Sequence, residues 1–305
     1  MIRLIVRRPG LLTTVQDLGR RGLGRFGVSR SGALDALALR VANRLVGNVD
    51  GAPALEITVR GPEVEFPDGG VVALAGADLS PTVDGRPVPV WCSLPVGAGA
   101  VLAFGPRRRG ARAVLAVAGG LDVPALLGSA ATDIEAGLGS SLRANQELRT
   151  RGSARSPARA AGVSVLRAWA EPFVLRFVPA PEPAAAAATD ALARAVFRVS
   201  RDSNRMGIRL DGPSLPAIGA GTEISEPVPP GTIQVPSDGR PTLLLADGPT
   251  VGGYPRIGYV IEADAPKVAQ LWIGHEVRFR PVGIDEAHAA LREQEEWLER
   301  SVPAC

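Results

Sequence analysis

Hydrophobic and polar residues alternate in short bursts along most of this chain, and Gly or Pro ends nearly every burst. Residues 3–8, 54–59, 71–75, 100–104 and 113–118 read as strands in the first half, and 174–178, 242–246, 259–262 and 276–279 in the second. Asp68-Gly69, Asp84-Gly85 and Asp238-Gly239 supply tight turns, so the pattern predicts a mainly β protein of barrels or sandwiches. Two segments switch to a helical period. Leu34, Leu37, Ala38, Val41, Ala42 and Leu45 fall on one stripe, with Ser31 as the expected cap and Gly47-Asn48 as the stop. Residues 285–300 form a Glu-rich C-terminal helix expected to turn Leu291 and Leu298 inward.

The strand pattern is written twice. P-T-V-x-G-x-P occurs at Pro81 to Pro87 and again at Pro249 to Pro255, after Leu74-Ala75-Gly76-Ala77-Asp78 and Leu243-Leu244-Leu245-Ala246-Asp247. D-x-x-R-x-G precedes each copy, at Asp17/Arg20/Gly22 and Asp202/Arg205/Gly207, and every landmark keeps its order. The reading is an internal duplication with domains at 1–165 and 166–305. The amphipathic helix lies in extra sequence of the first copy, and a longer loop is expected around 264–270 in the second. Residues 149–161 read as an exposed connection and 179–188 as a low-complexity loop insertion.

Composition narrows the function classes. At 305 residues with 46% hydrophobic and 21% charged positions, the chain can bury a sizeable core. The first ten residues lack the apolar core of a signal peptide, and no run is long enough to span a bilayer. Two cysteines, Cys92 and Cys305, cannot build a disulfide framework, which favours a cytoplasmic protein with Cys92 as a small core residue. Lys267 is the one lysine, and its neighbours suggest a surface loop; neither a P-loop nor a biotin-acceptor motif exists, so no biotin is attached to this chain. Arginine tracts at 107–109 and 149–159 come without stacking aromatics or a groove-reading motif, so nucleic acid is not expected. His275 and His288 lack metal-ligand spacing, and no metal site is expected.

Two stretches remain as candidate sites. Gln16, Asp17 and Arg20 lead a glycine-rich loop toward the start of the first helix, the arrangement that exposes backbone N–H groups to an anion. Because D-x-x-R-x-G recurs, Asp17 and Arg20 are read either as substrate-orienting groups or as an ion pair holding a turn. Asp35 and Asn43 belong to the unduplicated helix, off its apolar stripe, and are candidate catalytic residues. The second stretch carries Gln234, Asp247, Gly252, Gly253, Tyr254 and Arg256. Gly252-Gly253 permits close backbone approach, Tyr254 brings a hydroxyl and Arg256 a forked cation for phosphate or carboxylate. Asp84, Arg86 and Val88 stand at the positions of Gly252, Tyr254 and Arg256 in the first copy, so the divergence favours a site in the second.

Several runs together resemble the biotin-dependent carboxyltransferase / allophanate hydrolase subunit 2 family, whose bacterial members are read as the C component of 5-oxoprolinase. They are Thr14-Val15-Gln16-Asp17-Leu18-Gly19-Arg20, Gly32-Ala33-Leu34-Asp35, Ala42-Asn43-Arg44-Leu45-Val46-Gly47-Asn48, Gly231-Thr232-Ile233-Gln234-Val235-Pro236 and Gly252-Gly253-Tyr254-Pro255. The resemblance implies two tandem cyclophilin-like β-barrels and an ATP-dependent opening of 5-oxoproline to glutamate. The partners it implies are two further proteins of the same enzyme, a B component and a lactam-opening A component. It also implies two alternatives: a non-catalytic protein that sequesters a B-component homologue resembling a histidine-kinase inhibitor, and a carboxyltransferase of the urea carboxylase type. This chain departs from the family pattern twice. Gly128-Ser129-Ala130-Ala131-Thr132 replaces Gly-Ser-Arg-Ser-Thr, and Arg256 follows Tyr254-Pro255 where a lysine is common.

Overall fold

Alternation at the N-terminus buries Leu4 and Val6 completely and leaves the arginines outside, which makes β1 (Arg3–Arg8) a half-buried strand. The computed structural model describes residues 1–152, 172–182, 185–218 and 224–303. The chain divides into two units: Met1–Arg20, Ser31–Val165 and Trp297–Cys305 form unit 1, and Arg21–Arg30 and Leu166–Glu296 form unit 2. The expected boundary at 165/166, and the expected connection from 153 onward, lie outside the described residues, as does Cys305.

In unit 1, β1 is followed by β2 (Leu12–Gln16), α1 (Ala36–Leu45), β3 (Ala54–Thr58), β4 (Glu63–Phe66) and β5 (Gly70–Asp78). Then come β6 (Pro81–Val83), β7 (Arg86–Pro87), β8 (Cys92–Val96), β9 (Ala100–Phe104), β10 (Arg109–Val117) and β11 (Glu147–Arg149). They pair antiparallel in two sheets, ordered β11-β1-β4-β9-β6-β7 and β2-β3-β10-β5-β8. The stripe of α1 buries Ala38, Leu39, Val41, Ala42 and Leu45 against β5 and β10. Cys92 is half-buried on β8 rather than a core residue, and burial raises the pKa of its thiol.

The cap of α1 differs from the sequence expectation. Ser31 sits in the left-handed region (φ 53°) and its hydroxyl donates to the Thr132 carbonyl, whereas Asp35 caps the helix by accepting from Ala38 N at 2.8 Å. The cause is Glu56, whose carboxylate takes the Leu34 N–H at 2.7 Å and fixes the chain just ahead of the helix. Protein carboxylates therefore already occupy this helix start, where an outside anion was expected: Asp35 takes one helix N–H and Glu56 the N–H just ahead of the cap. Gly47 (φ 76°) ends the helix as the sequence indicates.

Unit 2 contains β12 (Phe173–Pro179), α2 (Ala186–Arg194), β13 (Phe197–Val199), β14 (Gly207–Asp211), β15 (Glu226–Pro227) and β16 (Thr232–Gln234). After these lie β17 (Thr242–Leu244), β18 (Val251–Gly252), β19 (Arg256–Val260), α3 (Ala265–Ala269), β20 (Glu276–Pro281) and α4 (Ile284–Ser301), whose residues from Trp297 onward belong to unit 1. Seven strands close a barrel in the order β12-β19-β16-β17-β14-β13-β20, sealed by parallel pairing of β20 with β12. Phe279 lies at its centre, with the rings of Phe177 and Phe197 edge-on at 6.1 and 6.2 Å. The first half of α4 covers a second cluster of Ile261, Ala263, Val282 and Ala290. Leu298 is fully buried as expected, while Leu291 is half-buried.

Three local expectations in unit 2 are corrected. The run read as a low-complexity loop becomes α2 from residue 186, because alanine has the highest helix propensity once the prolines end. The strand read at 259–262 lies earlier, at β19, and Glu262–Asp264 forms a 3-10 turn leading into α3. Lys267 is consequently helical. It pairs with the fully buried Asp264 at 2.9 Å, beside Arg176 at 2.7 Å. Burial alone raises the Asp264 pKa, but bonds from the Arg176 side chain and backbone and from Lys267 outweigh it and hold it below the usual value. A lowered folded pKa gives stability that is present above the unfolded value of about 3.9 and is lost as pH falls through the folded one. The Tm of an Asp264→Asn variant is thus expected to start lower at neutral pH and to fall less than wild type between about pH 5 and 2. Parallel acid limbs in calorimetry are the contrary result.

Candidate functional site

Within unit 1, β2 delivers Gln16, Asp17 and Arg20 to one segment of chain, residues 126–132. Gln16 Nε2 donates to the Thr132 carbonyl at 3.0 Å. The Asp17 carboxylate accepts from Ser129 Oγ at 2.6 Å, Ala130 N at 2.7 Å and Gly19 N at 2.8 Å. Arg20 donates through Nε to the Leu126 carbonyl at 3.1 Å and through Nη2 to that of Ala131. Asp17 and Arg20 therefore do not pair with each other; both clasp the 126–132 segment. Two atoms of this clasp, Gln16 Oε1 and Arg20 Nη1, are buried without a hydrogen-bond partner.

Asp35 and Asn43 are taken up by local structure. Asn43 donates to the carbonyls of Asp50 (3.2 Å) and Ala52 (2.8 Å) and accepts from Asn48 Nδ2 (3.0 Å), so its amide ties the end of α1 to the loop that follows.

The second-copy residues gather in unit 2. Gln234 ends β16 directly opposite Arg256 on β19, beside a register shift at Ile233. Its carboxamide lies under the Gly252 backbone, and its Nε2 is buried with no partner. Tyr254 is 55% exposed. The Arg256 guanidinium reaches Glu226 and, at 3.9 Å, Glu182. Burial works against the charge on Arg256, but the bond to Glu226 and the nearby Tyr259 and Glu182 raise its pKa overall. Its fork is thus turned toward protein carboxylates. Asp247 lies at the base of the turn, buried and bound in parallel to Arg205 at 2.7 and 3.0 Å.

The two copies of P-T-V-x-G-x-P now differ in a definable way. The first folds on itself, Val83 opposite Arg86 across Asp84 (φ 49°) and Gly85 (φ 75°). The second does not; Val251-Gly252 pairs with Pro227 and Glu226 instead. Arg20 and Arg205 diverge likewise, one on carbonyls and the other on Asp247. Sequence reading missed Glu226, Glu182, Ser129 and Thr132, for these partners lie 30 or more residues away and leave no periodic signal. Among the described residues no cluster of His, Cys, Asp and Glu is placed to hold a metal ion, and no helix is long and apolar enough to cross a membrane.

Comparison with known proteins gives a consistent result. Residues 26–281 match the family described as carboxyltransferase domain, subdomain A and B. The C component of 5-oxoprolinase from Escherichia coli K12 is 40% identical over 98% of this chain and 97% of its own length. The Haemophilus influenzae protein of the same name is 34% identical over 94% of each. Urea amidolyase of Lachancea kluyveri is 31% identical over 96% of this chain, but only 18% of that protein is covered. The solved urea carboxylase of Kluyveromyces lactis superposes with a TM-score of 0.86 at 28% identity, covering 98% of this chain and 29% of the other. On these matches the chain belongs to the carboxyltransferase-domain family, subdomains A and B, that also contains the C component of 5-oxoprolinase.

Proposed function

We propose that the chain is the C component of an ATP-dependent 5-oxoprolinase, acting in the cytoplasm with a B component and a lactam-opening A component. The observation that carries this reading is the 40% identity to the Escherichia coli C component along nearly the whole of both proteins. The chemistry asks for activation. An unstrained lactam resists water because its nitrogen lone pair is delocalised into the carbonyl. Phosphorylation of the amide oxygen by ATP makes the ring carbon a better electrophile. Water then adds, the C–N bond breaks with its electron pair on nitrogen, which takes a proton, and a second water hydrolyses the acyl phosphate left behind. The products are L-glutamate, ADP and phosphate.

Arg20 and Arg256, the cations expected for phosphate, are engaged with carbonyls and carboxylates. They fit a triphosphate poorly, so in this reading the nucleotide is held by a partner protein. The test combines the purified A and B components with and without this chain and follows ADP release as 5-oxoproline is added. Release that requires both the lactam and this chain is the expected outcome; release indifferent to the chain refutes the reading. Urea-dependent, avidin-sensitive turnover with a biotinylated carrier would instead point to carboxyl transfer. Stable capture of the B component, with no effect on turnover, would point to a sequestering protein.

A further inference from the structure

Unit 1 carries a cavity of about 400 Å³, walled by Arg8, Pro9, Arg60, Pro62, Glu63 and Phe104. That volume is in the range of small-molecule sites. Backbone contacts hold its walls in place. The pairing of β1 with β4 shifts register between Val6 and Arg8, so Arg8 stands opposite Glu63. Beyond β1 the chain turns at Gly10 (φ 79°), where a Cβ would lie 2.5 Å from the Arg60 carbonyl, and Leu11 N donates to that carbonyl at 2.8 Å. Gly61 lets the Phe104 ring lie against the backbone, since a Cβ there would come within 2.4 Å of the ring.

The charges along these walls are only partly matched. Arg8 donates through Nε, at 2.8 Å, and through Nη2, and both bonds fall on Glu63 Oε2. The Oε1 edge of a carboxylate that is only 22% exposed is left out of the pair. Arg7 is matched to Glu65 as Arg8 is to Glu63, whereas the Arg60 guanidinium has no carboxylate partner among the described residues. One cavity therefore presents a spare cationic fork, a spare carboxylate edge and an aromatic ring.

We propose that this cavity binds a free α-amino acid with an apolar side chain, as its zwitterion. The Arg60 fork takes the α-carboxylate, Glu63 Oε1 accepts from the α-ammonium, and the side chain lies on Phe104, Pro9 and Pro62. A simple carboxylate would answer Arg60 but face Glu63 with like charge, and a simple amine would do the reverse. 5-Oxoproline fails on the same ground, because its nitrogen is an amide and carries no charge. L-glutamate has the zwitterion, but its second carboxylate would lose water against the ring. The inference therefore stands apart from the 5-oxoprolinase reading.

The test titrates the ¹⁵N-labelled full chain with L-phenylalanine and follows the backbone amides of Gly61 and Phe104. Saturable shifts with a Kd of about 1 mM or tighter are expected, the scale for a ligand of this size. Phenylacetate, which lacks the ammonium, and 2-phenylethylamine, which lacks the carboxylate, should each bind at least about tenfold more weakly. Arg60→Gln should weaken L-phenylalanine about ten- to a hundredfold, the scale of a lost charged hydrogen bond, and leave Tm unchanged. In Glu63→Gln the preference for L-phenylalanine over phenylacetate should collapse, which a merely structural carboxylate would not produce. No saturation by about ten times the expected Kd overturns the proposal. So does phenylacetate binding as tightly as L-phenylalanine, or a Kd within twofold of wild type for Arg60→Gln. Shifts with 5-oxoproline but not with L-phenylalanine would likewise overturn it.

Discussion

An Asp247→Ala variant is expected to lose about 3–5 kcal/mol of stability, the usual consequence of removing one partner from a buried ion pair. Arg205 and Asp247 are 9% and 4% exposed and face each other through two parallel bonds at 2.7 and 3.0 Å. Removing the carboxylate leaves a buried guanidinium without its counter-charge, which is worse than never having buried it. For the same reason Arg205→Met combined with Asp247→Leu should recover most of the loss, since two apolar residues leave no charge behind. Urea denaturation followed by circular dichroism measures all three variants. A loss below about 1 kcal/mol for Asp247→Ala would place the pair in the class of surface ion pairs and contradict its burial. Asp247 was expected to bind ligand; its partner makes it an anchor for the turn that carries Gly252.

Gly32→Ala should be about as damaging, by at least about 3 kcal/mol, for two separable reasons. Its φ of +92° strains any L residue, and a Cβ would lie 2.7 Å from Gly19 N and 2.9 Å from Gly19 Cα. Both obstacles are backbone and cannot swing aside. Moving Gly19 disturbs the bond it donates to Asp17, and with it the grip of Asp17 on Ser129 and Ala130. Gly27→Ala is the control. It has a similar φ of +78° but nothing within 4 Å of the added carbon, so it carries the strain alone, about 1–2 kcal/mol. Equal losses for the two variants would remove the steric argument.

Legibility in the sequence followed the range of the interaction. Alternation located β1 and β9 to the residue, and the apolar stripe located α1, because each depends on neighbours within a few positions. Ser31 was mistaken for the cap because Glu56, 22 residues beyond Leu34, fixes the chain just ahead of α1. Arg20 was coupled to Asp17 by spacing, yet its carbonyl partners lie 106 and 111 residues ahead. At the candidate site the glycines and Gln234 were visible as residue types. That Gln234 Nε2 lacks a hydrogen-bond partner, and that Gly252 stands over it, are facts of packing that no local pattern encodes.

The division of the chain also bears on how the protein is made. Unit 1 includes the last turn of α4, where Glu299 and the Val302 carbonyl bind Arg44 of α1, and the barrel of unit 2 is sealed by β20. Neither unit can finish folding on the ribosome until residues 276–302 have emerged. A nascent chain halted at residue 270 would carry an open barrel edge and an Arg44 still waiting for Glu299. The barrel strands of unit 2 thus keep an open edge from the appearance of β12 until β20 follows, so a greater chaperone supply should raise the yield in a cell.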